Sequence, residues 1–354
     1  MNISEVITPA AIAAFFTEHP SNQEGYFAEA FFPRVKKAGL DLSFIRRSNG
    51  VPVALNPSAF DTKAPFRDRV GATKIETEMP FFREAMLVTE KDRQEILRAS
   101  ESRDPYLISV LNHIFDDSNN LIRAAEVVPE RIRWQLLAPV SGKPGVVVNI
   151  NKVDYTYDYD PDGEWEENNF LEATSTDKWD APDTANPLDD IREAQDKAEL
   201  ASGVRPGIAV MNRNTMNLML KCKSVQSAIL AQNSTANIFM SEAVLRNALA
   251  NILGVNLVVY NKLYRDETRA AHTFVPDNMV TLLPGTQLGS TYYGTTPEEA
   301  GLTGNPGAQV AVVNTGVAVT TFANPNPVNQ EIICSEIVLP SYEGMDSVAA
   351  IKVA

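Results

Sequence analysis

The chain has 354 residues, of which 44% are hydrophobic and 21% are charged, and its formal net charge is −14. This balance is typical of a folded globular protein and argues against a disordered chain. A protein this acidic is not expected to bind nucleic acid over a wide basic surface. The two cysteines, Cys222 and Cys334, lie far apart in the sequence and are expected to be buried free thiols.

No targeting segment and no membrane span are predicted from the sequence. The opening MNISEVITPAAIAAFF lacks a basic region and has Glu5 early, so it does not resemble a signal peptide. The longest uncharged stretch, residues 301–330, is interrupted throughout by Asn, Gly and Pro. A soluble intracellular protein is therefore expected.

The first hundred residues combine a short helix with extended segments. Thr8 and Pro9 predict the capped start of an apolar helix. Residues 34–50 are basic and predicted to be irregular, and VPVALNP is predicted to be a short strand. Residues 58–80 have no apolar periodicity, which predicts a long extended loop or a two-stranded flap.

The strongest helical signal covers residues 104–140. Asp104 can cap this helix and Pro105 suits its first position. Apolar residues then recur at a spacing of three and four, and Pro129 is expected to kink the helix or to restart it. About 35 residues at ~1.5 Å per residue span roughly 50 Å. The pattern therefore predicts a long spine helix.

Residues 145–160, GVVVNINKVDYTYDYD, alternate in the manner of a strand. The apolar positions have one parity up to Ile150 and the other parity from Val153 onwards. We predict one long strand here.

The stretch DYDPDG at residues 158–163 begins like a calcium-binding EF-hand loop. Asp158, Asp160, Asp162 and Gly163 match four positions of such a loop. The twelfth position is Asn169 rather than Glu, a proline lies inside the loop, and a strand rather than a helix precedes it. A turn with Gly163 at positive φ is therefore favoured over a calcium site.

The remainder of the chain predicts a compact α/β unit followed by strands. Capped helices alternate with short apolar strands through residues 186–285. A hairpin is predicted within residues 308–322, and closing strands at residues 331–340 and 347–353.

The charge is distributed unevenly. Residues 34–103 hold 14 Lys/Arg and 10 Asp/Glu, a net of +4, whereas residues 154–199 hold 3 Lys/Arg and 16 Asp/Glu, a net of −13. From composition alone, solvated loops of both signs are favoured. The alternative is that copies of the chain meet through these segments, because complementary charge steers and registers contacts.

No catalytic or nucleotide-binding motif is recognised in the sequence. The three tryptophans are expected to be packing or interface anchors, since no basic groove accompanies them. A spine helix, an extended charged loop and a compact α/β unit without a recognisable site are typical of a protein that contacts copies of itself.

Four stretches, in this order along the chain, resemble the major capsid proteins of tailed bacteriophages, specifically the lambda-type protein E family. They are VPVALNP with PFRDRVGATKIETEMPFFREAMLVTEKDRQEI, the spine helix with its strand and EWEENN, NPLDDIREA with SGVRPGIAVMNRNTMNLML, and TFVPDNMVTLLPGTQLGSTYYG with the closing SEIVLPSYEGMDSVAAIKV. The resemblance implies an α+β fold of the Hong Kong-type phage capsid class.

The resemblance also implies a division of the chain. The expected parts are an N-terminal arm at 1–45, an extended E-loop at 46–82, a P-domain at 83–177 with the spine helix and long strands, a compact α/β A-domain at 178–325, and return strands at 326–354. The turn at DYDPDG is then expected to reverse the long P-domain strand.

The implied function is structural and not enzymatic: an icosahedral shell around phage DNA, located in the virion capsid and made in the host cytoplasm. The implied partners are copies of the chain as pentamers and hexamers, scaffolding and portal proteins and, in some members, a decoration protein. DNA is contacted non-specifically, and no membrane, cofactor or metal is expected. On the charge pattern we hypothesise that Arg67, Arg69 and Lys74 contact acidic surface of an adjacent subunit.

Two alternatives stay open at this point. One is an encapsulin-type prokaryotic compartment shell, which shares the architecture. The other is an unrecognised α/β enzyme, which would need His113 or His272 to meet a carboxylate in a pocket.

Overall fold

The computed structural model describes residues 7–19, 25–46, 74–95, 106–150, 153–174, 177–232, 241–266, 268–301 and 309–354. The α-helices discussed below are α1 (Pro9–Glu18), α2 (Tyr106–Leu137), α3 (Glu164–Asn169), α4 (Pro187–Ser202), α5 (Arg213–Lys221), α6 (Lys223–Gln232) and α7 (Glu242–Leu253). Among the described residues no helix is long and apolar enough to span a bilayer.

Strands account for much of the remaining described chain. They are β1 (Arg34–Lys36), β2 (Asp41–Ile45), β3 (Lys74–Glu78), β4 (Phe81–Val88), β5 (Gly145–Ile150), β6 (Val153–Asp158), β7 (Phe170–Glu172), β8 (Ile208–Met211), β9 (Asn256–Val259), β10 (Leu263–Arg265), β11 (Ala271–Thr273), β12 (Met279–Leu283), β13 (Thr291–Tyr293), β14 (Gln309–Val313), β15 (Val317–Pro325), β16 (Val328–Pro340) and β17 (Ala349–Lys352).

The chain divides into two compact units. The first comprises residues 1–42, 76–132 and 290–341, and the second comprises residues 43–75, 133–289 and 342–354. The expected division into arm, E-loop, P-domain and A-domain remains a prediction.

The first unit is built around the 13-residue strand β16. Most of β16 lies between β15 and β4 in antiparallel register, and its last residues pair with β13, on which β1 lies in parallel. Side chains of α1, α2 and the β14–β15 hairpin form a buried apolar cluster with it. The hairpin at residues 308–322 and the capped helix after Thr8 are confirmed, the latter by a hydrogen bond from Ala11 N to Thr8 Oγ1 of 3.2 Å.

The second unit holds a five-stranded sheet in the order β7-β17-β12-β8-β9. All five residues of β12 are buried at its centre, as is expected for a strand covered on both faces. Helices α4 to α7 contribute to one apolar core with this sheet. The caps predicted at Asn212 and Ser241 are confirmed, because Thr215 N donates to Asn212 Oδ1 and Val244 N donates to Ser241 Oγ.

Two local predictions are wrong. Within the stretch predicted to be irregular at residues 34–50, the described residues 34–46 contain β1 and β2, and in β2 the side chains of Leu42 and Phe44 alternate inward and are buried. Residues 145–160 form two strands rather than one: β5 and β6 pair in antiparallel register from Gly145 with Asp158 to Ile150 with Val153. Because Val146 pairs with Tyr157 and Val148 with Tyr155, the change of parity places these side chains on one face of the antiparallel pair.

The spine helix α2 begins at Tyr106 and runs to Leu137, with Pro129 inside it. It therefore does not restart at the proline. Its 32 residues correspond to about 48 Å at ~1.5 Å per residue, in accord with the predicted length. Asp104 and Pro105, the predicted cap and first residue, lie outside the described residues.

Candidate subunit interface

The segment expected to contact a neighbour leaves the described fold from a two-stranded sheet. Arg67 and Arg69 lie outside the described residues, and Lys74 is the first residue of β3. Strand β3 pairs with β2, and beyond it Met79 N donates a hydrogen bond of 2.8 Å to Leu40 O. Residues 47–73 therefore connect two adjacent strands.

A buried ion cluster holds the end of β2. The Arg46 side chain is 7% exposed and donates to Asp160 Oδ1 at 3.1 Å and to Asp346 Oδ1 at 2.6 Å from Nη2 and 3.2 Å from Nε. Burial alone would lower the pKa of Arg46, but hydrogen bonding to Asp346 and the charges of Asp346 and Asp160 outweigh it and raise the pKa. Arg46 is therefore a permanent cation.

Asp160 also caps α3. Its Oδ1 accepts a hydrogen bond from Trp165 N and its Oδ2 accepts one from Glu166 N, both at 3.0 Å. Gly163 adopts φ +73°, so the predicted turn with positive φ is confirmed. The expectation that this turn reverses the P-domain strand is wrong, because the reversal occurs between β5 and β6 and the turn leads into α3.

The DYDPDG stretch thus has a structural role for its central carboxylate. Both Asp160 oxygens are engaged by backbone N–H groups and by Arg46, which leaves them poorly placed for a cation. In the part of the chain that the structure describes, no group of three or more His, Cys, Asp or Glu is arranged to hold a metal ion.

Four cations of the basic segment at residues 34–103 are used inside the chain. The ion pairs are Arg34 with Glu29 and Glu126, Lys36 with Glu299, Arg46 with Asp160 and Asp346, and Arg83 with Glu298. These side chains stabilise the subunit itself. The cations free to meet a neighbour are therefore fewer than the net charge of the segment suggests.

A cluster of ion pairs and hydrogen bonds around Arg34 joins residues 28–34, which follow α1, to the spine helix α2. Arg34 donates to Glu126 at 2.6 and 2.9 Å and to Glu29 at 2.6 and 3.0 Å, and Glu130 Oε1 accepts from Ala28 N at 3.2 Å. Burial of the nearby Tyr26, together with the charges of Glu126 and Glu130, raises the pKa of its hydroxyl to about 12. Sequence reasoning missed this cluster, although Glu126 and Glu130 at i and i+4 share one helix face.

The acidic segment at residues 154–199 is likewise partly neutralised by ion pairs within the chain. Its internal ion pairs are Glu164 with Arg46, Glu166 with Lys143, Glu172 with Lys352, Asp183 with Lys223, Asp189 with Arg192, Glu193 with Lys197, and Asp196 and Glu199 with Arg205. Five exposed carboxylates have no ion pair among the described residues. These uncompensated carboxylates are Asp158, Asp162, Glu167, Asp177 and Asp180.

The two histidines that the enzyme alternative requires, His113 and His272, both have exposed side chains. His113 is exposed on α2. His272 Nε2 lies 2.8 Å from Asp266 Oδ2, but both groups are on the β10–β11 hairpin and His272 is exposed. Asp266 Oδ1 accepts from Thr268 N and Ala270 N, both at 2.9 Å, so its carboxylate organises the hairpin turn.

The tryptophans and cysteines are packing residues. Trp134, Trp165 and Trp179 are at most 1% exposed, which confirms their prediction as packing anchors. Cys222 and Cys334 are free and buried, as predicted. Burial raises the pKa of Cys222 to about 11 and raises that of Cys334 further.

Comparison with known proteins identifies the family. A family model described as phage major capsid protein E matches residues 8–330, whereas no curated protein sequence matches the chain significantly. A protein assigned as the capsid protein of a prophage in Escherichia coli CFT073 has a TM-score of 0.61 at 13% identity, covering 98% of this chain and 99% of its own. A phage-related protein from Bordetella bronchiseptica RB50 has a TM-score of 0.56 at 13% identity, covering 98% of each chain.

An encapsulin complex from Synechococcus elongatus PCC 7942 is a more distant structural neighbour, with a TM-score of 0.42 at 10% identity over 95% of this chain and 90% of its own. That likeness is too weak to support the encapsulin alternative, and the family match favours a phage protein. The mixed helix-and-sheet fold is that of the Hong Kong-type phage capsid proteins. The chain belongs to the phage major capsid protein E family and is a structural protein of the virion capsid.

Proposed function

We propose that this chain builds the icosahedral shell around phage DNA as pentamers and hexamers of itself, after synthesis in the host cytoplasm. The family match over residues 8–330 carries the proposal. Assembly starts with scaffolding and portal proteins, and a decoration protein is added afterwards if the phage encodes one. The shell contacts the packaged DNA only non-specifically, in keeping with a chain of net charge −14.

Within that shell, Arg67, Arg69 and Lys74 contact the uncompensated carboxylates of an adjacent subunit. The support is electrostatic. Residues 47–73 hold four Lys/Arg and two Asp/Glu, a net of +2, while the five uncompensated carboxylates leave a net of −5 on the facing partner. Each exposed pair contributes only about 0–1 kcal/mol, but every subunit in a closed shell repeats the contact.

Charge reversal tests this contact. The double variant Arg67→Glu, Arg69→Glu is expected to abolish shells seen by negative-stain microscopy, because like charges then face each other. Lys91→Glu with Arg93→Glu is the matched control: the charge change is the same and both residues lie in the same basic segment, but outside residues 47–73. Its shells are expected to form.

A compensating reversal sharpens the test. Adding Asp162→Lys and Glu167→Lys to the double variant restores opposite charges across the contact, and shells are expected to return. Normal shells from the Arg67→Glu, Arg69→Glu variant alone would refute the proposed contact.

A further inference from the structure

We propose that Arg46 is a positioning residue for the subunit interface: its guanidinium fixes the end of β2, and with it the point from which residues 47–73 continue. The inference rests on the proposed function, since it assigns those residues a role in assembly. Arg46 acts through the segment that follows it rather than by touching the neighbouring subunit.

The two residues that accept from Arg46 also lie in a network of hydrogen bonds of their own. Asp160 is held by two backbone N–H groups at the start of α3. Asp346 lies in the short helix Met345–Ser347, where its carbonyl oxygen accepts from Asn169 Nδ2 at 2.8 Å. Trp165, fully buried, donates from Nε1 to Met345 O at 2.9 Å and joins the two sites. The Asp160 carboxylate and the backbone that carries Asp346 are therefore held by contacts that do not involve Arg46.

The planar guanidinium of Arg46 can donate to both carboxylates, Asp160 and Asp346, at the same time. Three of its nitrogens donate, with Nη1 directed to Asp160 and both Nε and Nη2 directed to Asp346. A planar fork that donates in two directions sets the orientation of the side chain, whereas a lysine ammonium would supply charge without that geometry.

Stability alone does not account for an arginine at this place. Burying a cation and two carboxylates costs desolvation energy, and replacing all three side chains by apolar ones of similar volume often gives equal or greater stability. Geometry is what the ion cluster adds. Arg46 is the last described residue before residues 47–73, and β3, which receives the chain again, pairs with β2. One cluster thus holds the strand pair from which the basic segment departs.

Hydrogen exchange on the unassembled full-length subunit tests the positioning role. In Arg46→Lys and Arg46→Gln, exchange in β2 and β3 is expected to rise at least about tenfold, the factor that corresponds to losing one charge-assisted hydrogen bond. Exchange in β12, at the centre of the five-stranded sheet, is expected to stay unchanged. Arg205→Gln is the matched control, because Arg205 also binds two carboxylates, Asp196 and Glu199, but at an exposed site.

Shell assembly of the same variants completes the test. Arg46→Lys keeps the charge, so a loss of shells together with faster exchange in β2 and β3 supports positioning. Exchange equal to that of Arg205→Gln, or normal shells despite faster exchange, would overturn it. If Arg46→Gln does not fold, Arg46→Lys and Asp346→Asn carry the same comparison. Normal shells from Arg67→Glu, Arg69→Glu would instead refute the proposed contact, whatever the Arg46 variants do.

Discussion

Replacing Arg34 by Gln is expected to destabilise the first unit by about 3 kcal/mol, a magnitude that follows from its ion pairs. The variant loses four hydrogen bonds to two carboxylates, Glu126 and Glu29. The Glu126 side chain is 7% exposed, and breaking a buried pair by removing one partner costs about 3–5 kcal/mol. The lower end applies because Asn314 Nδ2 still donates to Glu126 at 3.2 Å. Glu29, more exposed, adds at most about 1 kcal/mol.

Urea unfolding of the unassembled subunit measures this loss. With a slope of about 3 kcal/mol per molar urea, the midpoint of the first unit should fall by about 1 M at an unchanged slope. Arg205→Gln serves as the exposed control, because its side chain is 40% exposed and its pairs are worth about 0–1 kcal/mol. A shift for Arg34→Gln no larger than that of Arg205→Gln would refute the conclusion that the pairing of Arg34 with the buried Glu126 stabilises the subunit.

The packing around Gly316, the burial of the two cysteines and the hydrogen bonds of Asp160 can each be tested. Gly316→Ala should destabilise the subunit by about 1–3 kcal/mol, because the added Cβ would lie 1.9 Å from Cδ1 of the buried Tyr293. Gly207→Ala is the control: its added Cβ enters open space, so the same urea titration should show almost no change in stability. A thiol reagent at pH 8 should label neither Cys222 nor Cys334 until urea is added, since burial raises both pKa values; fast labelling of the native subunit would contradict this. Calcium should leave the melting temperature unchanged, because Asp160 already accepts from two backbone N–H groups and from Arg46; a rise of several degrees would contradict the turn assignment.

Local signals in the sequence predicted the elements whose stability is itself local. The helix after Thr8, the caps at Asn212 and Ser241 and the positive φ of Gly163 depend on residues within a few positions of one another. Such patterns can be read without knowledge of the fold. Pro129 was the exception, because the helix continues through it where an isolated helix would be expected to break.

Pairing between distant residues could not be predicted in the same way. Strand β1 has three residues and no apolar alternation, and it is a strand because it lies in parallel beside β13, some 250 residues later in the chain. The partners of Arg46 are likewise separated from it by 114 and 300 residues. Sequence reasoning identified these residues as charged, but only the fold shows which charges neutralise one another.

Ion pairs within the subunit reduce the charge that the basic segment at residues 34–103 can offer to a neighbouring subunit. Residues 34–103 have a net charge of +4, but Arg34, Lys36, Arg46 and Arg83 are bound within the subunit. Residues 47–73, which lie between these side chains in the sequence, carry a net charge of only +2. A contact with so small an excess of charge between exposed groups is weak and screened, since the Debye length is about 10 Å at 0.1 M salt. Shell formation should therefore slow as ionic strength rises, while a buried cluster such as that of Arg46 responds much less. We therefore expect the proposed contact to favour one register during assembly, while the buried clusters hold the subunit geometry on which that register depends.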